Sequence, residues 1–237
     1  MGLGAIDGTA VVGAIRLAAA RTGVDFSYLM AQARIESGLD PRAAAPTSSA
    51  RGLFQFTQAT WLEMVRRHGD AHGLGDAAAT LRRGASPDER AAILDLRHDA
   101  GASSAMAAAF AHDNAAVLER RMGRTANATD LYLAHFLGPA GATRFLRARD
   151  AAPDAAAAGA VLPAAARANA GVFTAAGGRA RSLDEVYARF AAKLAVTTPM
   201  RPPGGTALPP TGTALPLATN PVIAARTAYL LLAELGA

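Results

Sequence analysis

The chain has no cysteine, which excludes disulfide bonds, thiolate nucleophiles and Cys-ligated metals together. Aromatic residues are scarce, 5% of 237 positions, so the core must come from close-packed helices with a few large anchors. Apolar residues still reach 51%, but much of that is alanine, which favours helix and buries little area per side chain. Strand-like alternation of useful length is missing, as is any internal repeat, and the expected fold class is all-α. No apolar stretch is long and uncharged enough to span a bilayer, so no transmembrane segment is expected. Residues 1–21 make a poor secretory signal: they lack a basic start, carry Asp7 early and place Arg16 inside the apolar run. Ile6 also breaks the myristoylation pattern.

Several chemistries lack their signatures. There is no phosphate loop and no dinucleotide fingerprint, and no cofactor is expected. Ser103-Ser104 lacks the Gly-x-Ser-x-Gly context of a serine hydrolase. His68 and His72 stand four apart, but Gly69 and Gly73 interrupt that segment and no third ligand is evident, so no metal site is expected. The net charge is +5 and Arg greatly outnumbers Lys, yet no basic run is dense. The Arg pairs at 66–67, 82–83 and 120–121 read as solvated helix faces, and nucleic acid is not an expected partner.

What is present is helical punctuation. Residues 9–21 form an amphipathic pattern with Val12, Ile15 and Ala19 on one side. Asp25 caps a second helix carrying Phe26, Leu29, Met30 and Ala33; Gly38 ends it and Pro41 prevents its continuation. Thr57 caps a third, ended by Gly69, and residues 70–85 are expected to be irregular. Ser86-Pro87-Asp88-Glu89 is a capping-box start; helix runs from there to about Met122 with a break near Gly101. Further helices are expected over "NATDLYLAHFLG", stopped by Gly138-Pro139, around "ATRFLRAR", near 163–170, and after the Ser182/Glu185 capping box. The expected organisation is a helical domain over 1–196, a Pro/Gly/Thr-rich linker over 197–221 and a short apolar helix over 222–237.

Within this frame Glu36 is out of place. It sits in the last turn of its helix, where the helix dipole disfavours a carboxylate and favours the protonated form that a general acid needs. A lone acid at a helix end is usually solvated and inert, so its context has to decide. That context is "LMAQARIESGLDPRAAAPTSSARGLFQFTQATW", residues 29–61. It resembles the catalytic core of the soluble-lytic-transglycosylase-like family, which is related to goose-type lysozyme. The linked matches are Glu36-Ser37, Gly52-Leu53-Phe54-Gln55 and Thr60-Trp61. A third family motif, Ala-Tyr-Asn-Ala-Gly, has as its counterpart Ala134-His135-Phe136-Leu137-Gly138, with His135 in place of the Tyr and Phe136 in place of the Asn.

The resemblance implies a lysozyme-like helical domain that cleaves the β-1,4 bond between N-acetylmuramic acid and N-acetylglucosamine in peptidoglycan glycan strands, leaving 1,6-anhydro ends. Glu36 would be the catalytic acid and then the base. Ser37 would orient the substrate or the carboxyl group, and Gln55 with the backbone near Phe54 would bind an acetamido group. His135 would support Glu36 through a ring nitrogen; when protonated it would instead hold Glu36 ionised; the alternative is a satisfied core histidine. Tyr132 is a possible substitute hydroxyl, and Trp61 reads as core rather than sugar platform. Asp40, Glu63 and Asp70 offer no convincing second carboxylate, which fits a single-acid mechanism. The competing readings are a lysozyme-like hydrolase and a non-catalytic murein-binding assembly protein. The implied place of action is the periplasm or cell wall, with the C-terminal tail as a docking segment for a flagellar, secretion or phage assembly.

Overall fold

The computed structural model describes residues 8–46, 48–155 and 161–197. Among these the architecture is all-α, as expected, and β pairing is limited to isolated bridges such as Ala44 with Arg51 and Arg51 with Phe56. The linker and C-terminal helix expected beyond residue 197 lie outside the described residues. Among the described residues no helix is long and apolar enough to cross a membrane.

Helix α1 (Gly8–Thr22) buries Val11, Ile15, Ala18 and Ala19, a stripe at helical spacing. Helix α2 (Phe26–Ser37) begins at Asp25, whose carboxylate accepts the Tyr28 backbone N–H, and ends at Gly38, which takes the left-handed conformation at φ 65°. Nearly every α2 side chain from Tyr28 to Glu36 is buried, so this helix is central rather than amphipathic. Thr57 caps α3 (Gln58–His68), which puts Trp61 wholly in the core; its indole N–H donates to the Ile93 carbonyl at 2.7 Å.

Two sequence expectations need correction. Residues 70–85 are not irregular: a short 3₁₀ turn covers Gly69–His72 and α4 spans Gly75–Arg83. The glycines there mark element ends, Gly73 at φ 78°, while Ala77 to Arg83 between them are helix formers. The break expected at Gly101 falls earlier. α5 (Pro87–Asp95) gives way to a 3₁₀ turn at Leu96–His98, and α6 (Ala100–Met122) starts on Asp99, which accepts the Ala102 N–H at 2.7 Å. The Asp99 cap, not the glycine, sets that boundary.

Helix α6 packs against α1, α3 and α7 (Ala128–Ala151). Helix α7 is kinked where expected, at Gly138 (φ 69°, ψ 158°) before Pro139. After α8 (Pro163–Ala168) and α9 (Ala170–Phe173), α10 (Leu183–Thr197) docks on α2 and α7. It buries Leu183, Val186, Phe190 and Leu194. At about 1.5–3 kcal/mol per fully buried side chain, this makes α10 a fixed wall rather than a lid. Lys193, the chain's one lysine, is carried on that wall and donates to the Tyr132 hydroxyl at 3.2 Å.

The segment between α2 and α3 is held by its own backbone and by arginines. Gly52 N–H donates to Ala43 O at 2.8 Å and Arg51 N–H to Phe56 O at 3.1 Å. The buried Arg97 guanidinium donates to Ser49 O at 2.7 Å and to Phe56 O at 3.2 Å. Gly52 adopts φ 81°, and a Cβ there would lie 1.9 Å from the Arg97 carbonyl oxygen.

Two outcomes follow from these contacts. Gly52→Ala is expected to lower unfolding free energy by on the order of 3 kcal/mol or more, since backbone blocks the new methyl group; denaturant titration reads it. Burial holds the Lys193 ammonium below its ordinary pKa of 10.5, an effect the Glu36 charge partly offsets. A lowered folded pKa means that the unfolded chain binds more protons, so this group's cost is full at neutral pH and fades as pH rises towards 10.5. Lys193→Met should therefore be more stable than wild type at neutral pH, with the gap narrowing in alkaline titrations.

Candidate active site

Glu36 ends α2 with its side chain 2% exposed. Its position is fixed from both sides in sequence. The preceding turn is locked in the core by Ala33 and Ile35, and Gly38 turns the chain away immediately after it. Next to it, Ser37 Oγ stands 2.8 Å from Leu53 O and 3.1 Å from Ala33 O. The hydroxyl therefore ties the end of α2 to the Gly52–Gln55 turn, and the two sequence motifs meet here in space. Leu39 (φ 70°) and Gln55 (φ 50°) are the two non-glycine residues with left-handed backbone among those described, and they flank this junction.

Across from α2, helix α7 brings His135. Its Nε2 lies 3.2 Å from Glu36 Oε1, and both side chains are almost fully enclosed. The separation is that of an ion-pair contact rather than an aligned hydrogen bond. Glu36 Oε2 accepts no hydrogen bond from the described residues. The other ring nitrogen of His135, Nδ1, is 3.2 Å from Gln32 Nε2, one turn before Glu36 on α2. Tyr132 stacks beside His135 with centroids 6.0 Å apart and planes at 11°, and Phe110 meets the ring edge-on at 6.1 Å. Burial, with the Glu36 charge adding to it, pushes the Tyr28 phenol above the ordinary tyrosine range, so it stays neutral.

The structure thus brings Glu36, His135 and Tyr132 into one cluster, with Ser37 beside it in sequence and turned to the Gly52–Gln55 turn. Phe54 and Gln55 come close through the Ser37–Leu53 contact but point inward, at 0% and 3% exposure. The Gln55 amide nitrogen donates to Ala43 O and Gly52 O, which brackets its own turn. Sequence reasoning missed two members, Gln32 and Lys193. A glutamine among the apolar residues of α2 and a single lysine among 24 basic residues were the available signals.

The other carboxylates considered are engaged elsewhere. Asp40 accepts the Arg42 N–H, Glu63 pairs with Arg66, and Asp70 pairs with Arg82. His68 is held by Asp113 at 2.8 Å. The Arg66, Arg67 and Arg82 side chains lie exposed on helix faces in these ion pairs, worth little each in water. A cavity of about 470 Å³ between Asp25, Tyr28, His112 and Glu119 opens at the other end of α2 from Glu36. Geometry and chemistry favour the Glu36 cluster over that cavity as the site.

Compared with known families, residues 13–79 match the family described as the transglycosylase SLT domain. The match runs from within α1 through α2 and α3 into α4, and includes Glu36-Ser37 and Gly52–Gln55. It ends before α7 and α10, which supply His135, Tyr132 and Lys193. Over residues 13–79 the chain is thus similar to the transglycosylase SLT domain, and its all-α architecture among the described residues is consistent with that likeness.

Proposed function

We propose that the protein is a peptidoglycan lytic transglycosylase that cleaves the N-acetylmuramic acid β-1,4 N-acetylglucosamine bond with Glu36 as its one catalytic acid and base. The observation that carries this reading is the placement of Glu36. It is a buried carboxyl group at a helix end, paired with His135 and joined through Ser37 to the Gly52–Gln55 turn. Protonated Glu36 donates to the glycosidic oxygen as the C1–O bond breaks. The electron pair leaves with that oxygen, and the positive charge on C1 is shared by the substrate's own acetamido group. Glu36, now a carboxylate, takes the proton from the muramoyl 6-hydroxyl as this oxygen attacks C1. The 1,6-anhydro ring closes, no water is consumed, and Glu36 returns to its starting state.

A two-carboxylate glycosidase needs a second acid about 5 to 9.5 Å from the first. The engagement of Asp40, Glu63 and Asp70 with other partners supports the single-acid route. A second reading rests on one observation: with 2% of its side chain exposed, Glu36 offers little to an incoming glycan. That favours a murein-binding protein without catalysis. We place the action at the cell wall, with residues 198–237 as the segment that docks to a wall-spanning assembly.

Digestion of purified sacculi with product analysis by mass spectrometry separates these readings. Wild type should release muropeptides with anhydro ends; reducing muramoyl ends would instead indicate hydrolysis by water. Glu36→Gln, which keeps the shape and removes the titrating proton, should cut release by at least about 10²-fold. Binding to sacculi in a pelleting assay should persist in that variant. Pelleting without release by the wild type would select the non-catalytic reading. Truncation after residue 197 should leave release intact and abolish co-purification with the assembly.

A further inference from the structure

We propose that Gln32 is a positioning residue that sets which nitrogen of His135 carries the proton and, through it, whether His135 gives a proton to Glu36 or accepts one. The inference rests on the reading of Glu36 as acid and base for its functional meaning, but its geometry stands apart from that reading. Gln32, His135 and Glu36 form a line across the α2–α7 interface, at 3.2 Å from Gln32 Nε2 to His135 Nδ1 and 3.2 Å from His135 Nε2 to Glu36 Oε1. Gln32 and His135 are each 3% exposed, so water has little access to stand in for either. Tyr132 on one side and Phe110 on the other wall the imidazole and oppose a flip of the ring.

A neutral imidazole has one donor nitrogen and one acceptor nitrogen. A glutamine amide offers a donor NH₂ on one side and an acceptor oxygen on the other. With the NH₂ towards Nδ1, as here, Nδ1 must accept, so the ring proton sits on Nε2 and faces the Glu36 carboxylate. This is the state in which Glu36 has no proton of its own to give. Half a turn of the amide swaps the two faces. Gln32 Oε1, which accepts no hydrogen bond from the described residues, would then take a proton from Nδ1. Nε2 would become the acceptor, and the shared proton would belong to Glu36. The second state holds one proton more than the first, taken up from water by the pair, so the turn of the amide and the protonation of Glu36 are coupled. Three other polar groups bear on the cluster: Lys193 from α10 donates to the Tyr132 hydroxyl of α7 at 3.2 Å, and the Glu36 charge acts on both the Lys193 ammonium and the Tyr28 phenol.

The test is the tautomer of His135 in the full-length chain, read from long-range ¹H–¹⁵N spectra of ¹⁵N-histidine-labelled protein. The chain has five histidines, and the His135 signals are those lost in His135→Gln. Wild type at slightly alkaline pH is expected to carry the proton on Nε2. Gln32→Met removes donor and acceptor and should leave a mixture of tautomers. Gln32→Glu can only accept and should move the proton to Nδ1. The two variants differ in size and charge, so a failure of one to fold leaves the other to decide. A wild-type ring protonated at Nδ1, or a tautomer that neither variant alters, overturns the proposal. Because no substrate is present, this result is independent of whether Glu36 cleaves glycan. On sacculi, Gln32→Met, which cannot turn an amide oxygen towards Nδ1 to favour the protonated Glu36, should lower kcat by at least about tenfold with KM unchanged.

Discussion

A carboxyl group sealed from water must be neutralised by what surrounds it, and the contact between Glu36 and His135 meets that need here. Much of the helical arrangement can be read from it. Helix α2 carries the acid at its end, where Gly38 turns the chain aside so that the carboxyl group faces α7. Helix α7 must come close enough to offer an imidazole, and its kink at Gly138 follows His135 by three residues. Helix α10 then closes the third side with Phe190 against Tyr132 and Phe136. Removing either member would leave an unpaired polar group in the densest part of the molecule.

The turn at Gly52–Gln55 has a different logic. Its side chains face inward and its polar side-chain atoms bond to its own backbone, so its stability does not depend on a ligand. Arg97 acts as a buried clasp for the same segment, using a cation to satisfy carbonyls where no carboxylate is available. Burial draws its pKa below the ordinary arginine value, with the charge of Arg51 adding to the effect. Two positive charges are thus invested in the shape of one loop, a sign that this shape, more than any single side chain, is what the loop contributes to the site.

Local chemistry was legible in the sequence. The capping boxes at Ser86 and Ser182, the N-caps at Asp25 and Thr57 and the stop at Gly38 are all realised, because each depends on residues within three or four positions. The helix at 75–83 was not, because its flanking glycines outweighed the Ala and Arg between them in a reading by breakers. The acid and the motif beside it were legible through their spacing. The line from Gln32 to His135 was not, because it joins positions 103 residues apart and a glutamine inside a helix carries no periodic signal. Lys193 belongs to the same class: its position on α10 says nothing of Glu36 until the helices pack.

The distribution of the cluster along the chain bears on how the protein comes into being. Glu36 and the Gly52–Gln55 turn lie in the first third of the sequence, whereas Tyr132, His135 and Lys193 come from α7 and α10. Synthesis runs from the N-terminus, so the ribosome delivers the acid long before it delivers the groups that enclose it. A nascent chain that ends before α7 has Glu36 without the His135 contact. The Glu36–His135 contact therefore forms only after α7 is made, and its full enclosure only after α10.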